Sequence, residues 1–132
     1  MKAPPHPPRY IFLIDDDEIT NLIHSTQISR FDPHIEVRVH TDAQAALEEL
    51  LQLREAQPGS MPDLILLDIN MPGMDGWDFL AAFEGHNLSC HLMMLTSSVD
   101  DKDREKALAF TSVSGFISKP LNSSILRQLM GK

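Results

Sequence analysis

Acidic, hydroxyl and basic residues in this chain fall where apolar runs stop, and that placement gives them chemical potential. Tyr10 to Ile14 runs into Asp15, Asp16, Asp17 and Glu18, and Leu64 to Leu67 runs into Asp68. Leu92 to Leu95 runs into Thr96, Ser97 and Ser98, while Gly115, Phe116 and Ile117 lead through Ser118 to Lys119-Pro120. Short apolar runs without alternation suit strands covered on both faces. If the strands are parallel, their carboxyl ends share one rim, and that rim is where open α/β sheets place ligands and chemistry. Asp15, Asp16, Asp68, Thr96 and Lys119 then converge.

Three carboxylates about 4 Å apart repel by roughly 4 kcal/mol per pair at an effective dielectric of about 20. Such a cluster calls for a cation or for raised pKa values. A hard divalent ion with oxygen ligands answers that need, and Mg²⁺ with several retained waters fits a shallow rim better than a caged Ca²⁺. Lys119 adds a fixed positive charge and Thr96 a hydroxyl donor. Together they describe a place for a phosphoryl group, with Asp68 as the nucleophile that becomes an aspartyl phosphate. Each member has a plainer role taken singly: Asp68 as a turn cap, the run from Asp15 to Glu18 as an acidic first helical turn, Thr96 as a strand terminator, Lys119 as an exposed lysine. Their joint occurrence at strand ends favours the chemical role.

The elements that must position these residues follow in a strand–helix rhythm repeated five times, which implies a parallel sheet with helices on both faces and right-handed crossovers. After the first strand, Ile19, Leu22, Ile23 and Thr26 have helical spacing, ended by Asp32-Pro33. Ile35, Val37 and Val39 alternate with Glu36 and Arg38, the pattern of an edge strand with one solvated side. Thr41-Asp42 offers a cap for a helix with Ala43, Ala46, Leu47, Leu50 and Leu51 inward, closed by Gln57-Pro58-Gly59. Trp77, Leu80 and Ala81 mark a short helix stopped near Gly85. Asp100 to Lys106 is almost all charged, so a helix there has only Ala107, Leu108 and Thr111 to bury. Asn122 caps a last helix packed through Ile125, Leu126, Leu129 and Met130.

The 132 residues, 42% hydrophobic, fit one domain with a substantial core. Residues 1–9 hold four prolines and read as a disordered, extended lead-in to a domain over 10–132. The formal charge is -8 and the cations are scattered, which excludes the electrostatic footprint of nucleic-acid or anionic-membrane binding. The single cysteine, Cys90, rules out an internal disulfide and reads as packing. The amino terminus lacks the apolar core of a signal peptide and no run reaches transmembrane length, so the chain is expected to be soluble and cytoplasmic. The histidines, His24 among them, show no metal spacing and are expected to be structural or solvated.

The segments L-I-D-D-D, L-L-D-I-N-M-P-G-M-D-G, M-L-T-S-S and F-I-S-K-P, within Tyr10 to Gly131, resemble the receiver domain of two-component response regulators. The resemblance implies a flavodoxin-like, doubly wound five-stranded sheet of order 2-1-3-4-5, in agreement with the alternating second strand at an edge. It implies that Asp68 accepts a phosphoryl group from a phosphohistidine on a sensor histidine kinase or histidine phosphotransfer protein. It further implies that Asp16 binds Mg²⁺ directly, Asp15 largely through water and Asn70 through its backbone carbonyl, with Asp68 completing the site. Thr96 would bond a phosphoryl oxygen, Lys119 would pair with the phosphate, and Phe116 would be the switch aromatic. The Lys119-Pro120 bond is expected to be cis. By the same resemblance, Asn70 and Ser98 would occupy the positions at which the family tunes dephosphorylation.

The protein is thus expected to be a regulator without an output domain, catalysing only its own phosphorylation and dephosphorylation. A downstream protein would be engaged through the face of the fourth helix, fifth strand and fifth helix, with movement in the thinly anchored fourth helix. A rival reading takes Asp15-Asp16-Asp17 as the D-x-D of a haloacid-dehalogenase-like phosphohydrolase, with Asp15 the nucleophile and Asp17 the acid/base. Those enzymes need a further acidic pair beyond the lysine, and Lys119 to Lys132 holds no Asp or Glu. A third reading, a binding module that keeps the fold without phosphorylation, is opposed by the intact acidic set.

Overall fold

Strands form where unbroken apolar runs can be covered on both sides. The structure, a computed structural model, describes residues 4–97 and 100–131. The strands are β1 (Tyr10–Ile14), β2 (Glu36–His40), β3 (Leu64–Asp68), β4 (His91–Thr96) and β5 (Val113–Ser118). The helices are α1 (Glu18–Phe31), α2 (Ala43–Ala56), α3 (Gly76–Gly85), α4 (Asp101–Ala107) and α5 (Ser123–Met130). The sheet has the order β2-β1-β3-β4-β5 and every pairing is parallel, as the resemblance implied.

Alternate residues of the central strands feed two separate cores, which is the period-two geometry of a strand expressed in packing. Ile11, Leu13, Leu64, Leu66, Met93 and Leu95 pack with Ile28 of α1 and with Leu126, Leu129 and Met130 of α5. Phe12, Ile14, Ile65, Leu67, Leu92 and Met94 pack with α2 and α3, through Leu47, Leu50, Phe79 and Phe83 among others. Register then fixes the rim. Ile14 lies opposite Leu67, Asp68 opposite Leu95 and Thr96 opposite Ser118, so the residues that end β1, β3, β4 and β5 come level.

The first helix differs from its expected orientation. Ile19, Leu22 and Ile23 are 69%, 65% and 48% exposed, whereas Asn21, His24 and Ile28 are buried. Polar side chains face inward because they have backbone partners to satisfy at the ends of β1 and β5, a demand that apolar periodicity does not register. The edge strand also departs from simple alternation. Val39 is exposed, while on the opposite side Arg38 and His40 meet Glu49 of α2, with the Arg38–Glu49 ion pair at 2.9 Å.

Among the three residues expected to anchor the charged helix α4, only Ala107 is buried; Leu108 is 86% exposed and Thr111 is exposed. Aromatic contacts take their place. Phe110 stacks on Trp77 at 6.1 Å, Lys106 Nζ lies 5.0 Å from the Trp77 ring, and the Arg104 guanidinium lies 6.0 Å from the Phe116 ring. Before β1, Pro8 is buried, and the Asp63 carboxylate accepts from the Arg9 and Tyr10 N–H groups at 2.7 and 3.0 Å.

The inverted α1 sets the order of two mutational effects. Ile28→Ala, which empties a fully buried site, should cost about 2–5 kcal/mol. Leu22→Ala should stay within about 0.5 kcal/mol. Urea unfolding of both variants checks this, and the reverse ranking would contradict the orientation of α1.

Candidate functional site

Asp15 follows β1 directly and is 1% exposed, held at three points. Its N–H donates to the His40 carbonyl at 3.1 Å, its carbonyl accepts from Asn21 Nδ2 at 2.7 Å, and its Oδ1 accepts from the Asp17 N–H at 3.0 Å. A carboxylate anchored this way has little rotamer freedom left. Asp16 is exposed beside it, and Asp17 belongs to the helix rather than to the cluster. Asp17 Oδ1 accepts from the Ile19 and Thr20 N–H groups at 2.9 and 3.3 Å, the N-cap of α1. These bonds, Thr20 foremost, hold its carboxyl below the ordinary range, so it stays ionised and is poorly suited to the acid/base role of the phosphohydrolase reading.

Asp68 is the last residue of β3 and is 4% exposed. Its surroundings are close. The Gly76 N–H donates to the Ile69 carbonyl at 2.9 Å, and a Cβ on Gly76 would sit 2.6 Å from the Asp68 carbonyl oxygen and 2.9 Å from Ile69 Cα. Only glycine fits there, for reasons of space. The loop Asp75–Asp78 closes as a reciprocal capping box that starts α3 at that point.

Lys119 joins the two buried carboxylates. Its Nζ lies 2.7 Å from Asp15 Oδ2 and 3.1 Å from Asp68 Oδ1, and its own N–H donates to the Thr96 carbonyl at 2.8 Å. The Lys119-Pro120 bond is cis. One carboxylate oxygen from each of Asp15, Asp16 and Asp68 lies within 4.8 Å of the other two. Three carboxylates thus face one ammonium, an arrangement of hard oxygen donors and surplus negative charge that fits a divalent cation. Burial pushes the Asp68 carboxyl above its ordinary value, opposed by the Lys119 hydrogen bond and reinforced by the Asp15 charge. Burial pulls Lys119 down, but the hydrogen bonds it donates to Asp15 and Asp68 outweigh it and leave the ammonium above its ordinary value.

Thr96 ends β4 on the same rim and is buried. Asn70 is exposed in the loop after β3, two residues beyond Asp68. Phe116 stands apart from the acidic cluster, half-buried in β5 opposite Met94 and beneath Arg104 of α4. Ser98 lies outside the described residues. Sequence reasoning missed Asn21 as a support of Asp15 and His24 and Gln27 as supports of the β5–α5 loop. The usable signal was three polar residues spaced three apart immediately after the acidic run.

The raised Asp68 carboxyl has a consequence for stability. The folded chain holds that proton to higher pH than the unfolded chain does, so this group's contribution is complete below about 3.9 and is lost as pH rises through the folded value. Asp68→Asn removes the loss. Without divalent metal the variant should melt a few degrees above wild type at pH 7, the gap narrowing as the pH falls toward about 4. A variant melting below wild type at pH 7 in EDTA would contradict this electrostatic account.

The geometry has close counterparts among known proteins. The family model described as the response regulator receiver domain matches residues 11–130. A chemotaxis protein CheY of Halobacterium salinarum is 26% identical over 113 residues, 85% of each chain. The probable methanogenesis regulatory protein FilR2 of Methanothrix harundinacea is 26% identical over 123 residues, 92% of this chain and 78% of that one. Among solved structures, a two-component response regulator from Cytophaga hutchinsonii is 35% identical with a TM-score of 0.79, covering 92% of this chain and 93% of the other. The phosphorylated cyanobacterial phytochrome response regulator RcpA is 28% identical with a TM-score of 0.75, covering 93% and 89%. With the receiver model spanning nearly the whole sequence and the β2-β1-β3-β4-β5 sheet carrying its acidic rim, the chain belongs to the receiver domains of two-component response regulators, a phosphoacceptor fold.

Proposed function

We propose that Asp68 accepts a phosphoryl group from a phosphohistidine on a sensor histidine kinase or histidine phosphotransfer protein, with Mg²⁺ held by Asp15, Asp16, Asp68 and the Asn70 carbonyl. The observation that carries this is Lys119 Nζ between the Asp15 and Asp68 carboxylates, with Asp16 completing the oxygen cluster. A bound Mg²⁺ would supply charge neutralisation for the incoming phosphoryl oxygens. Asp68 attacks phosphorus, the P–N bond to the donor imidazole breaks, and the imidazole leaves with its electron pair and takes up a proton. Asp15 and Asp16 keep the rim anionic enough to retain the cation. Lys119 then pairs with the phosphoryl group, and Thr96, level with it on the rim, donates its hydroxyl to a phosphoryl oxygen. RcpA, similar over most of its length, is known in a phosphorylated form, which supports the same chemistry here.

The donor must deliver its phosphohistidine across the rim where α1 begins. Ile19, Leu22 and Ile23 present an apolar stripe on that helix, suited to docking a partner's own apolar surface. Phe116, under Arg104, is the aromatic whose rearrangement would report phosphorylation to the face of α4, β5 and α5.

Incubation with acetyl phosphate and Mg²⁺, or with beryllofluoride and Mg²⁺, tests the assignment by intact mass and by NMR. Wild type should gain one phosphoryl group and Asp68→Asn none; an inert wild type, or a modification that persists in the variant, would refute it. Leu22→Glu should slow transfer from a phosphohistidine protein about tenfold while leaving acetyl phosphate reactivity unchanged. Equal loss with both donors would show that the stripe does not dock the protein donor.

A further inference from the structure

The side of α1 that meets the sheet is lined by Asn21, His24 and Gln27. Asn21 supports the Asp15 loop, as described. The other two act on the far side of the site. Gln27 Nε2 donates to the Leu121 carbonyl at 2.8 Å, and His24 Nε2 accepts from the Leu121 N–H at 3.4 Å. Both backbone polar groups of one residue are therefore taken up by α1. The Gln27 bond is the stronger half, since 3.4 Å is long for an N–H donor.

Leu121 and His24 are each 1% exposed, so water is poorly placed to replace either partner. A buried backbone group left without one costs about 1–3 kcal/mol. The location matters as much as the cost. Leu121 is two residues beyond Lys119, and between them stands Pro120, which has no N–H to donate. The loop is anchored on its two sides: by the Lys119 N–H on the Thr96 carbonyl, and by the Leu121 peptide on α1. Lysine's four-carbon stem is flexible, and the backbone from which it springs decides whether Nζ reaches both Asp15 and Asp68.

We propose that His24 and Gln27 are positioning residues for phosphoryl transfer, clamping the Leu121 peptide so that Lys119 stays aimed across the Asp15–Asp68 gap. The inference rests on the reading of Asp68 as the phosphoryl acceptor. Accepting from a peptide N–H requires an unprotonated Nε2, so the bond holds only for a neutral ring. Burial favours the same state by lowering the His24 pKa, against the pull of Asp15. A displacement of about 1 Å at a positioned group costs up to about 100-fold in rate. The clamp therefore acts on the rate of the chemical step rather than on cation binding, because it touches neither Asp15 nor Asp16 side chains.

The test compares wild type with Gln27→Met, His24→Leu and His24→Gln, the last restoring an acceptor at the reach of Nε2. Phosphorylation by acetyl phosphate is followed at saturating Mg²⁺, and Mg²⁺ affinity is measured separately by calorimetry. Gln27→Met and His24→Leu should lower the saturating rate constant about tenfold or more, with the Mg²⁺ Kd within about twofold of wild type. His24→Gln should recover most of the rate. If His24→Leu does not fold, Gln27→Met at its half-buried position carries the comparison. Wild-type rates in folded variants, or His24→Gln no faster than His24→Leu, would overturn the clamp alone. An inert wild type would instead overturn the acceptor reading beneath it, and the clamp with it.

Discussion

One half-buried ammonium between two buried carboxylates is the constraint that the rest of the molecule satisfies. Asp15 and Asp68 are both almost fully enclosed, and at the separations involved their mutual repulsion is worth several kcal/mol unless a cation intervenes. Lys119 supplies part of that compensation from the far end of the chain, 51 residues beyond Asp68. Bringing it there requires β5 to lie parallel to β4 with Thr96 opposite Ser118, and it requires β1 and β3 to be neighbours. The sheet order is in this sense the means by which the charges meet. Three carboxylates against a single lysine still leave the rim negative, an arrangement that fits a divalent cation.

Much of this was legible in the sequence because apolar runs end abruptly. Leu64 to Leu67 could be read as a fully covered strand and Asp68 as its tip, and the structure has both. Ile35, Val37 and Val39 located an edge strand through alternation, although Val39 turned out exposed. The first helix was legible in extent but not in orientation. Periodicity assumes that the apolar side is the buried one, and here the backbone groups at Asp15 and Leu121 draw Asn21, His24 and Gln27 inward instead. Long-range pairing of a side chain with one peptide group leaves no trace in hydrophobic pattern. Gly76 illustrates a different gap: glycine in a turn-rich stretch signals a bend, whereas its requirement here is clearance from the Asp68 carbonyl.

The helices that follow β3 and β4 are held by unlike forces. On one side α3 sits against the end of β3 through a backbone hydrogen bond and a capping box, with Phe79, Leu80 and Phe83 fully buried behind it. On the other side α4 buries only Ala107 and leans on Trp77 and Phe116 through Lys106, Arg104 and Phe110. Partly exposed cation–π contacts contribute about 0.5–1 kcal/mol each, far less than a packed apolar face. Low local stability of this kind is where conformational change is drawn from.

The missing side chain at Gly76 therefore does more than avoid a clash. By letting α3 rest directly on the peptide that follows Asp68, it makes that side of the carboxylate unyielding, like the fixed jaw of a vice. The thinly buried α4, whose Lys106 leans on Trp77 of α3, is by contrast the compliant part of the molecule.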